Sequence, residues 1–419
     1  MHRLLAAALA AAVLGGCSAR GENDDPGPRS TSPGSLAGAL RVQAAGGEGE
    51  LKALQALVDA FEKAHPAVQV DFTGVADQGD HLARLTTGFA AGRAPDVFLL
   101  NYRRAGAFLA KGVVAPVPAD GVDVADLYDA PKEAFTQSGV LQCVPQNASS
   151  SVIYVNPALF AKAGLPLPLP DWTMTELAAT AAALGAKGVE SIGFEPGMRT
   201  VAPFAWSFGG EVVDDIAKPT SITLLGEETE QALRLLLDLQ RSGFDARQRA
   251  AEEVQDAFAA GKLAMLVDSR RAVPALRKSG VAFDVRPLPK ARTSTSLLAA
   301  DGWCVAKNSR NLAAAHAFAA FSVGAVGGAV LAESGRTVPA SRRVARSPAF
   351  LDPTRPPASS QVFLDAIPTL RRLPNVAAQN EAEEVADDAL EQFFAGRLSL
   401  DRLIETVNRA TTAVYAQQR

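Results

Sequence analysis

Short strand-like and helix-like segments alternate from residue 40 onward, and this alternation constrains the fold more than any other feature. Residues 40–42 have the pattern of a strand, and apolar residues then recur at helical spacing over 51–61. Residues 68–72 alternate as a half-buried strand does, a second amphipathic helix covers 80–91, and the apolar run 97–100 predicts a buried strand. Such units predict an α/β protein with mixed, mainly parallel sheets and flanking helices.

Two loops follow strands of this pattern and are candidates for a ligand site. The glycine-containing loop 44–49 follows the first strand, and Asn101, Tyr102 and Arg103 follow the strand at 97–100. Ligands of open α/β sheets bind beyond the carboxyl ends of the strands. We therefore expect both loops to contribute to one site.

The N-terminal residues have the form of a secretion signal. A basic start precedes the apolar run 4–13, which is about half the ~20 residues that a membrane-spanning helix needs. The run ends in Leu14-Gly15-Gly16-Cys17, which resembles a bacterial lipobox; the alternative is an ordinary signal peptide with an incidental cysteine. We expect a lipoprotein signal peptide at 1–16, a lipidated Cys17, a flexible tether over 17–39 and an extracytoplasmic, membrane-anchored protein.

The composition of the chain excludes several classes of protein. Its 419 residues suffice for two or three domains, and a charged fraction of 21% is ordinary for a globular protein. A formal net charge of −4 without a basic block argues against a nucleic-acid partner. Four His and three Cys leave little for a zinc or iron–sulfur site, so we expect no metal and no cofactor.

Three further patterns have a structural interpretation. The apolar stretch 312–332 is interrupted by three glycines, which favours two short packed helices over a membrane span. The acidic cluster at 381–388 is expected to spread around the solvated face of a helix rather than to hold a metal. Trp172 precedes residues with capping-box spacing, so we expect it to pack at a helix start and not to bind ligand.

Seven short segments carry a resemblance that covers nearly all of residues 40–416. They are LQALVDAFEKAHPAVQV at 54–70, GRAPDV at 92–97, the stretch from VP at 144–145 through IYVN at 153–156 to AGL at 163–165, WTMTEL at 172–177, FAAGKLAM at 258–265, DGW at 301–303 and GRTVP at 335–339. Together they resemble the bacterial extracellular solute-binding proteins of ABC importers, in particular the sugar-type family 1 that includes maltose-binding lipoproteins.

The resemblance implies a two-lobed periplasmic-binding-protein fold of type II with a hinge. Residues 40–142 and 305–350 would form the first lobe, and residues 145–302 and 351–419 the second. The lobes would close on a sugar, sugar acid or polyol, and the closed form would dock on the membrane permease subunits of an ABC importer. The resemblance thus implies a monomeric binding protein without enzymatic activity.

The resemblance also implies which residues contact the solute. Trp303 and Trp206 lie where the family often stacks an aromatic ring or places a contact loop, and Glu195 lies where it often hydrogen-bonds hydroxyl groups. Core packing is the alternative for each tryptophan, and a surface carboxylate is the alternative for Glu195. The expected ligand-binding residues are Asn101, Tyr102, Arg103, Glu195, Trp206, Asp268, Arg271, Asp301, Trp303 and Arg336.

Two arginines depart from the pattern of maltose-type binders. Arg103 stands where those proteins have an acidic residue, and Arg271 stands where they have an aromatic one. With Arg270 and Arg336, several guanidinium groups would converge on the cleft, which raises the hypothesis of a carboxylated or phosphorylated ligand. The alternative is that each arginine lies on the solvated surface.

The two cysteines of the mature body lie on strands that run side by side in the family. An oxidising exterior permits a bridge, so we predict a disulfide between Cys143 and Cys304. The alternative is two buried thiols that act as small hydrophobic side chains.

Two other functions compete with the importer. A lipid-anchored glycosidase would use Glu195 with Asp268 or Asp301, but the sequence lacks a Gly-x-Ser-x-Gly elbow, a His-Glu-x-x-His motif and a P-loop. A sensor for a membrane kinase would have the same fold and a different partner. Aromatic residues make up only 6% of the chain, which favours a small or strongly polar ligand over a long oligosaccharide.

Overall fold

The computed structural model describes residues 36–242 and 253–417. The expected signal peptide 1–16, the lipidated Cys17 and most of the tether 17–39 lie outside the described residues. The strands are β1 (Gly38–Ala45), β2 (Val68–Val75), β3 (Val97–Asn101), β4 (Val114–Ala115), β5 (Thr136–Gln137), β6 (Val140–Leu141), β7 (Cys143–Pro145), β8 (Ser151–Val155), β9 (Glu190–Phe194), β10 (Leu263–Ser269), β11 (Asp284–Pro287), β12 (Ser296–Leu297), β13 (Asp301–Ala306) and β14 (Leu370–Arg371). The helices are α1 (Glu48–Ala64), α2 (Gln78–Ala90), α3 (Tyr102–Ala110), α4 (Asp129–Ala134), α5 (Pro157–Ala163), α6 (Met174–Ala186), α7 (Met198–Phe208), α8 (Glu227–Ser242), α9 (Glu253–Ala259), α10 (Val273–Ser279), α11 (Leu312–Val323), α12 (Ala325–Glu333), α13 (Arg342–Ala345), α14 (Gln361–Asp365), α15 (Gln379–Phe394) and α16 (Leu400–Gln417).

The first sheet has six strands in the order β2-β1-β3-β13-β4, and β7 also pairs with β13. Strand β1 is parallel to β2 and β3, whereas β13 is antiparallel to β3, β4 and β7. Asn101 at the end of β3 therefore lies opposite Asp301 at the start of β13. This register brings the carboxyl end of β3 and the amino end of β13 to one edge of the sheet.

The second sheet has four strands in the order β11-β8-β10-β9. Strands β9 and β10 are parallel, so their carboxyl ends lie at the same edge, while β8 is antiparallel to β10 and β11. The prediction of mixed sheets is confirmed, but "mainly parallel" is too strong. Among the described strands antiparallel pairs are more numerous, because β8 and β13 enter their sheets from crossing segments and run against their neighbours.

Helices cover both faces of each sheet, and successive strand residues alternate between two cores. In β8, Ile153 and Val155 pack in a core with α6, α7, α8, α15 and α16, while Val152 and Tyr154 pack in a core with α9 and α10. In the first sheet, Trp303 joins the core under α1 and α11, whereas Cys304 joins the opposite core with α3. This double coverage is the architecture that the strand–helix alternation predicts.

Trp172 packs at the start of α6, as the sequence predicts. It is buried, and its indole Nε1 donates to the Pro287 carbonyl at 2.9 Å. The Thr173 hydroxyl accepts from the Glu176 amide at 3.2 Å, and the Glu176 carboxylate accepts from the Thr173 amide at 2.7 Å, so the capping box is present. Trp172 therefore belongs to the core and not to a binding site.

The apolar stretch 312–332 forms the two helices α11 and α12, with a bend of 56° between them. Of the described helices, none alone has the length and apolar content needed to cross a membrane, although this bent pair has them when taken together. Phe318 and Leu331 of the pair are buried in the core beside α1. Two short packed helices are therefore present, as the sequence predicts.

Cys143 and Cys304 form a disulfide across the neighbouring strands β7 and β13. The two sulfur atoms are 1.99 Å apart, and the Cα atoms are 4.3 Å apart. The bridge joins residues that are 161 positions apart in the chain, so it links the strands at which the chain leaves and re-enters the first sheet. The disulfide that the resemblance implies is thus present in the structure.

Candidate ligand-binding cleft

An open cleft of about 600 Å³ is lined by residues from both sheets. On the side of the first sheet, the loop after β1, the end of β3 and the start of β13 contribute; on the side of the second sheet, the loop after β9 and the end of β10 contribute. We define the first wall as Glu50, Asn101, Asn147, Asp301 and Arg336, and the second wall as Glu195, Arg199, Asp268 and Arg271.

Asp301 in the first wall is held by two neutral amides. Its Oδ1 accepts from Asn101 Nδ2 at 3.1 Å, and its Oδ2 accepts from Asn147 Nδ2 at 2.9 Å. Asn101 is fixed in turn because its own Oδ1 caps α3, where it accepts from the amide of Arg103 at 3.3 Å. The carboxylate therefore keeps its negative charge and remaining lone pairs for a ligand.

Glu50 and Arg336 form an ion pair at 2.7 Å beside Asp301. Burial raises the pKa of Glu50, and Arg336 opposes this rise while Asp301 adds to it. The Glu50 carboxylate lies against the loop after β1, where a Cβ placed on Gly46 would lie 2.4 Å from Glu50 Oε2. A side chain at position 46 would therefore displace the Glu50 carboxylate.

Arg271 in the second wall bridges two carboxylates. Its Nη2 donates to Glu195 Oε2 at 2.7 Å, and its Nε donates to Asp268 Oδ1 at 2.8 Å. Burial would raise the pKa of Glu195, but the charges of Arg271 and then of Arg199 lower it overall. The pKa of Arg271 is raised, first by the charge of Asp268. Both carboxylates are therefore oriented by Arg271.

Three more arginines line the cleft, and their surroundings differ. Arg103 forms an ion pair with Glu383 of α15, and Arg104 donates from Nε to Asn380 Oδ1 at 2.9 Å. Arg199 lies in the first turn of α7 and is exposed to the cleft. Within the part of the chain that the structure describes, no carboxylate forms an ion pair with Arg104 or with Arg199.

The lining is polar and contains aliphatic but no aromatic side chains among the described residues. Five arginines and five carboxylates line it, together with Leu99, Leu266, Leu297 and Leu298. Such a surface hydrogen-bonds hydroxyl and anionic groups, but it offers no ring on which a sugar face stacks.

The sequence model of the bacterial extracellular solute-binding proteins matches residues 45–329. The chain belongs to this family. Relatives include the galactooligosaccharide-binding protein of Bacillus subtilis, which is 23% identical over 374 residues and is aligned over 86% of each chain. Members of this family act outside the cytoplasm as binding proteins, so the family prediction is confirmed and the glycosidase alternative fails.

Solved structures of solute-binding proteins confirm the two-lobed fold. The ABC substrate-binding protein Lmo0181 of Listeria monocytogenes, determined with cycloalternan, superposes with a TM-score of 0.81 at 22% identity and covers 90% of this chain and 99% of its own. The GacH receptor of Streptomyces glaucescens, determined with and without acarbose, gives a TM-score of 0.79 at 24% identity and covers 91% of this chain and 99% of its own.

Seven of the ten residues that the resemblance implies line the cleft of this solute-binding protein. They are Asn101, Arg103, Glu195, Asp268, Arg271, Asp301 and Arg336. The loop predicted at 44–49 also contributes, through Ala45, Gly46 and Gly47. The three aromatic residues do not line the cleft, and these three placements are corrections.

Trp303 lies in the core instead of the cleft. It is 1% exposed and packs edge-on against Phe318 at 5.2 Å between ring centroids. Asp301 and Trp303 share one face of β13, but Trp303 lies two residues further from the sheet edge, a distance of ~7 Å. That distance places the ring beneath α11, so only Asp301 reaches the ligand side.

Trp206 and Tyr102 are also buried away from the cleft. Trp206 lies in the core of the second sheet, and the Arg371 guanidinium covers its ring at 4.7 Å. The Tyr102 hydroxyl accepts from the Leu373 amide at 3.0 Å, and burial raises the pKa of Tyr102 to about 12. Both rings point into the protein because each lies on the core face of its helix.

Arg270 does not converge on the cleft with Arg271. Its guanidinium is buried, donates to the Gly335 carbonyl at 3.0 Å and to the Ser360 hydroxyl at 3.1 Å, and lies over the ring of Phe350 at 4.2 Å. Burial lowers the pKa of Arg270 to about 9. The turn after β10 thus sends one arginine into the core and the next into the cleft.

Sequence reasoning missed several polar residues of the cleft, among them Glu50, Arg104, Asn147 and Arg199. Glu50 follows the predicted glycine loop, and Arg104 follows the predicted Arg103. Asn147 comes two residues after the Val144-Pro145 segment, and Arg199 comes four residues after Glu195. Their proximity to recognised segments was the available signal.

The acidic cluster at 381–388 differs from its predicted role as a solvated face. Glu383 is buried and pairs with Arg103, and Asp387 accepts from the amide of Met198 at 2.6 Å. Burial raises the pKa of Asp387 to about 7. Among the described residues no group of three or more His, Cys, Asp or Glu is arranged to hold a metal ion.

Proposed function

We propose that the protein captures a small polar solute, a sugar or close relative of one, between its two lobes and delivers it to the permease of an ABC importer. One observation carries the proposal: hydrogen-bonding side chains from both sheets face each other across a single cleft in a chain of this family. The relatives named above were determined with, or are named for binding, carbohydrates, which supports the sugar class.

The lobes and hinge follow from the way the chain crosses between sheets. It leaves the first sheet between β7 and β8 and returns between β12 and β13. The two crossings pair with each other, because Ser149 and Ala299 exchange two backbone hydrogen bonds of 2.9 Å. We assign the hinge to these paired crossings, with lobes over 40–142 plus 305–350 and 145–302 plus 351–419.

The two walls supply complementary groups for hydroxylated solutes. Asp301 accepts hydrogen bonds from hydroxyl groups, while Arg271 and its neighbours donate. A volume of about 600 Å³ suits a small ligand, and closure would bring the walls together around it. The ligand therefore stabilises the closed form, which is the form we expect the permease to bind.

A thermal-shift screen tests the proposal. The panel contains neutral sugars, sugar acids, sugar phosphates and polyols, and a true ligand raises the melting temperature because it binds only the native state. The Asp301→Asn variant should lose the shift, whereas Asp59→Asn, which removes an exposed carboxylate that accepts from the Gln55 amide, should keep it. A panel that produces no shift contradicts the proposal.

The lipid anchor is tested separately. We propose that Cys17 is lipidated and becomes the N-terminus when residues 1–16 are removed, and that the monomeric protein stays on the outer face of the membrane. Cells expressing the wild-type chain should incorporate labelled palmitate into it, and Cys17→Ser should abolish labelling and release the protein. Labelling that persists in Cys17→Ser would contradict acylation at this residue.

A further inference from the structure

The arginines of the cleft fall into two groups: three form ion pairs with carboxylates and two do not. The inference from this difference rests on the proposed function. Arg271 pairs with Glu195 and Asp268, Arg336 pairs with Glu50, and Arg103 pairs with Glu383. Within the described ranges, Arg104 and Arg199 have no such carboxylate partner. Both of these arginines also line a side recess of about 170 Å³ that adjoins the cleft.

The carboxylates near these two arginines are already engaged by other groups. Asp301 is held by the amides of Asn101 and Asn147, and Glu384 accepts from Asn380 at 2.6 Å. Asp387 accepts from the amide of Met198. The remaining carboxylate of the cleft, Asp256, is exposed. Two guanidinium groups thus face the cleft with donors to spare.

Arg199 lies among other arginines. The pKa of Arg199 is lowered, first by the charge of Arg103 and then by burial and by Arg271, while Glu195 and Glu383 oppose this lowering. The pKa of Arg104 is lowered by burial and then by Arg103, while Glu383, Glu384 and Asp301 oppose this lowering. An anion bound between Arg199 and Arg104 would offset the repulsion among these arginines.

We propose that the solute carries an oxyanion, a carboxylate or a phosphate ester, which binds between Arg199 and Arg104, while its hydroxyl groups reach Asp301 in the first wall. Guanidinium groups match both kinds of anion with two parallel hydrogen bonds. The solute is thus a small polyhydroxylated anion rather than a neutral oligosaccharide. The absence of an aromatic platform among the described lining residues agrees with this choice.

Calorimetric titration with matched ligands tests the proposal. The probes are glycerol with glycerol 3-phosphate and glycerate, and glucose with glucose 6-phosphate and glucuronate. In the set that resembles the natural solute, one anion should bind at least tenfold more tightly than the neutral parent of that set. Comparing the two anions of one set with each other at pH 7.5 distinguishes a phosphate-specific site from a carboxylate-specific site.

Variants of Arg199 separate charge recognition from general damage. Arg199→Gln should weaken binding of the anion about 10- to 100-fold and binding of the neutral parent much less, and Arg199→Lys should lie between wild type and Arg199→Gln. Because Arg199 is repelled by Arg103, Arg199→Gln should not lower the melting temperature of the free protein. Arg310→Gln removes an exposed arginine outside the cleft and should change neither affinity.

The outcomes distinguish this inference from the function on which it rests. A neutral parent that binds as tightly as its anions, or an Arg199→Gln variant that keeps full affinity for the anion, overturns the inference and leaves the proposed function intact. If neither these probes nor the sugars of the wider screen bind, the inference and the proposed function both fail.

Discussion

The two walls of the cleft hold their carboxylates by different means. Asp301 in the first wall receives its hydrogen bonds from the neutral amides of Asn101 and Asn147. Glu195 and Asp268 in the second wall receive theirs from the charged guanidinium of Arg271. Bonds from neutral amides respond little to salt, whereas partly exposed ion pairs are screened by it.

This difference gives the walls opposite characters. Asp301 forms no ion pair with a described residue and is a fixed acceptor, and the disulfide between Cys143 and Cys304 supports its strand three residues away. In the second wall Arg271 pairs with both acids, and Arg199 balances the remaining charge while forming no ion pair with a described carboxylate. A solute is therefore oriented with hydroxyl groups toward the first wall and with acceptors toward the second.

The largest expected effect concerns the disulfide behind the first wall. Replacing both cysteines, Cys143→Ala with Cys304→Ala, should lower the free energy of unfolding by about 2–5 kcal/mol, because the bridge restricts a long loop in the unfolded chain. Urea denaturation measures this loss. Solute affinity of the folded variant should be retained, because Asp301 and its two amide donors remain in place.

An unchanged unfolding midpoint would contradict the stabilising role of the bridge. A large loss of affinity with retained stability would instead show that the bridge positions the first wall directly. Wild-type protein treated with a reductant under native conditions serves as the control, since it has the same side chains without the covalent bond.

The second prediction concerns Asp387, whose pKa burial raises to about 7 although the amide of Met198 opposes this shift. The folded state then retains a proton that the unfolded state releases near pH 4. Stability should therefore fall as pH rises from about 4 to 7 and should stay at the lower level above that range. The expected loss is about 2–4 kcal/mol.

Asp387→Asn removes this dependence because its side chain stays neutral while its carbonyl still accepts from Met198. The variant should be more stable than wild type at pH 8 and similar to it at pH 4, as measured by urea denaturation at both values. Asp388→Asn alters the next, exposed position of α15 and should behave as wild type. If stability rose between pH 4 and 7 by the same amount in wild type and in Asp387→Asn, the assignment would be refuted.

The sequence predicted where strands end more reliably than how far a side chain lies from the sheet edge. Asp301 and Trp303 lie on the same strand face, and only the two-residue offset separates a ligand-facing carboxylate from a core indole. Arg270 and Arg271 are adjacent, yet a short 3₁₀ turn directs one into the core and the other into the cleft. Such directions depend on tertiary packing, which one sequence without its relatives does not reveal.

The fold itself was predictable because it follows from local pattern. Apolar spacing located α1 and β2, and a capping box located the start of α6 together with the role of Trp172. The antiparallel strands β8 and β13 were not predicted, since pairing direction depends on where the chain re-enters a sheet. For the same reason Glu383 was assigned to solvent, although Arg103 lies 280 residues away and binds it.

The third prediction tests the fixed acceptor. Asp301→Asn removes the charge and replaces one of the two acceptor oxygens with an NH2 group. This group faces an amide donor of Asn101 or Asn147, so one hydrogen bond is lost. Solute affinity should fall about 10- to 100-fold, since a hydrogen bond to a charged group contributes about 1.5–3 kcal/mol. Calorimetry with the solute from the screen measures the change, and Asp59→Asn is the matched control. Affinity equal to wild type would exclude Asp301 from the ligand site.

The smallest effect is expected from the ion pairs of the second wall. Arg271→Gln should lower the free energy of unfolding by less than about 1 kcal/mol, because its side chain is 39% exposed and such pairs are screened by water. The difference in stability from wild type should shrink further when salt is raised from a low concentration to 0.5 M, because the Debye length is then only about 4 Å. Arg343→Gln is the matched control, since Arg343 also bridges two carboxylates, those of Asp123 and Asp126, but lies outside the cleft.

The two walls should then separate in one experiment. The stability change of Asp301→Asn should depend less on salt than that of Arg271→Gln, because the hydrogen-bond partners of Asp301 are neutral. Arg343→Gln should show the same salt dependence as Arg271→Gln but no change in solute affinity. If salt reduces the effects of Asp301→Asn and Arg271→Gln equally, the walls are held by the same forces and the comparison between them fails.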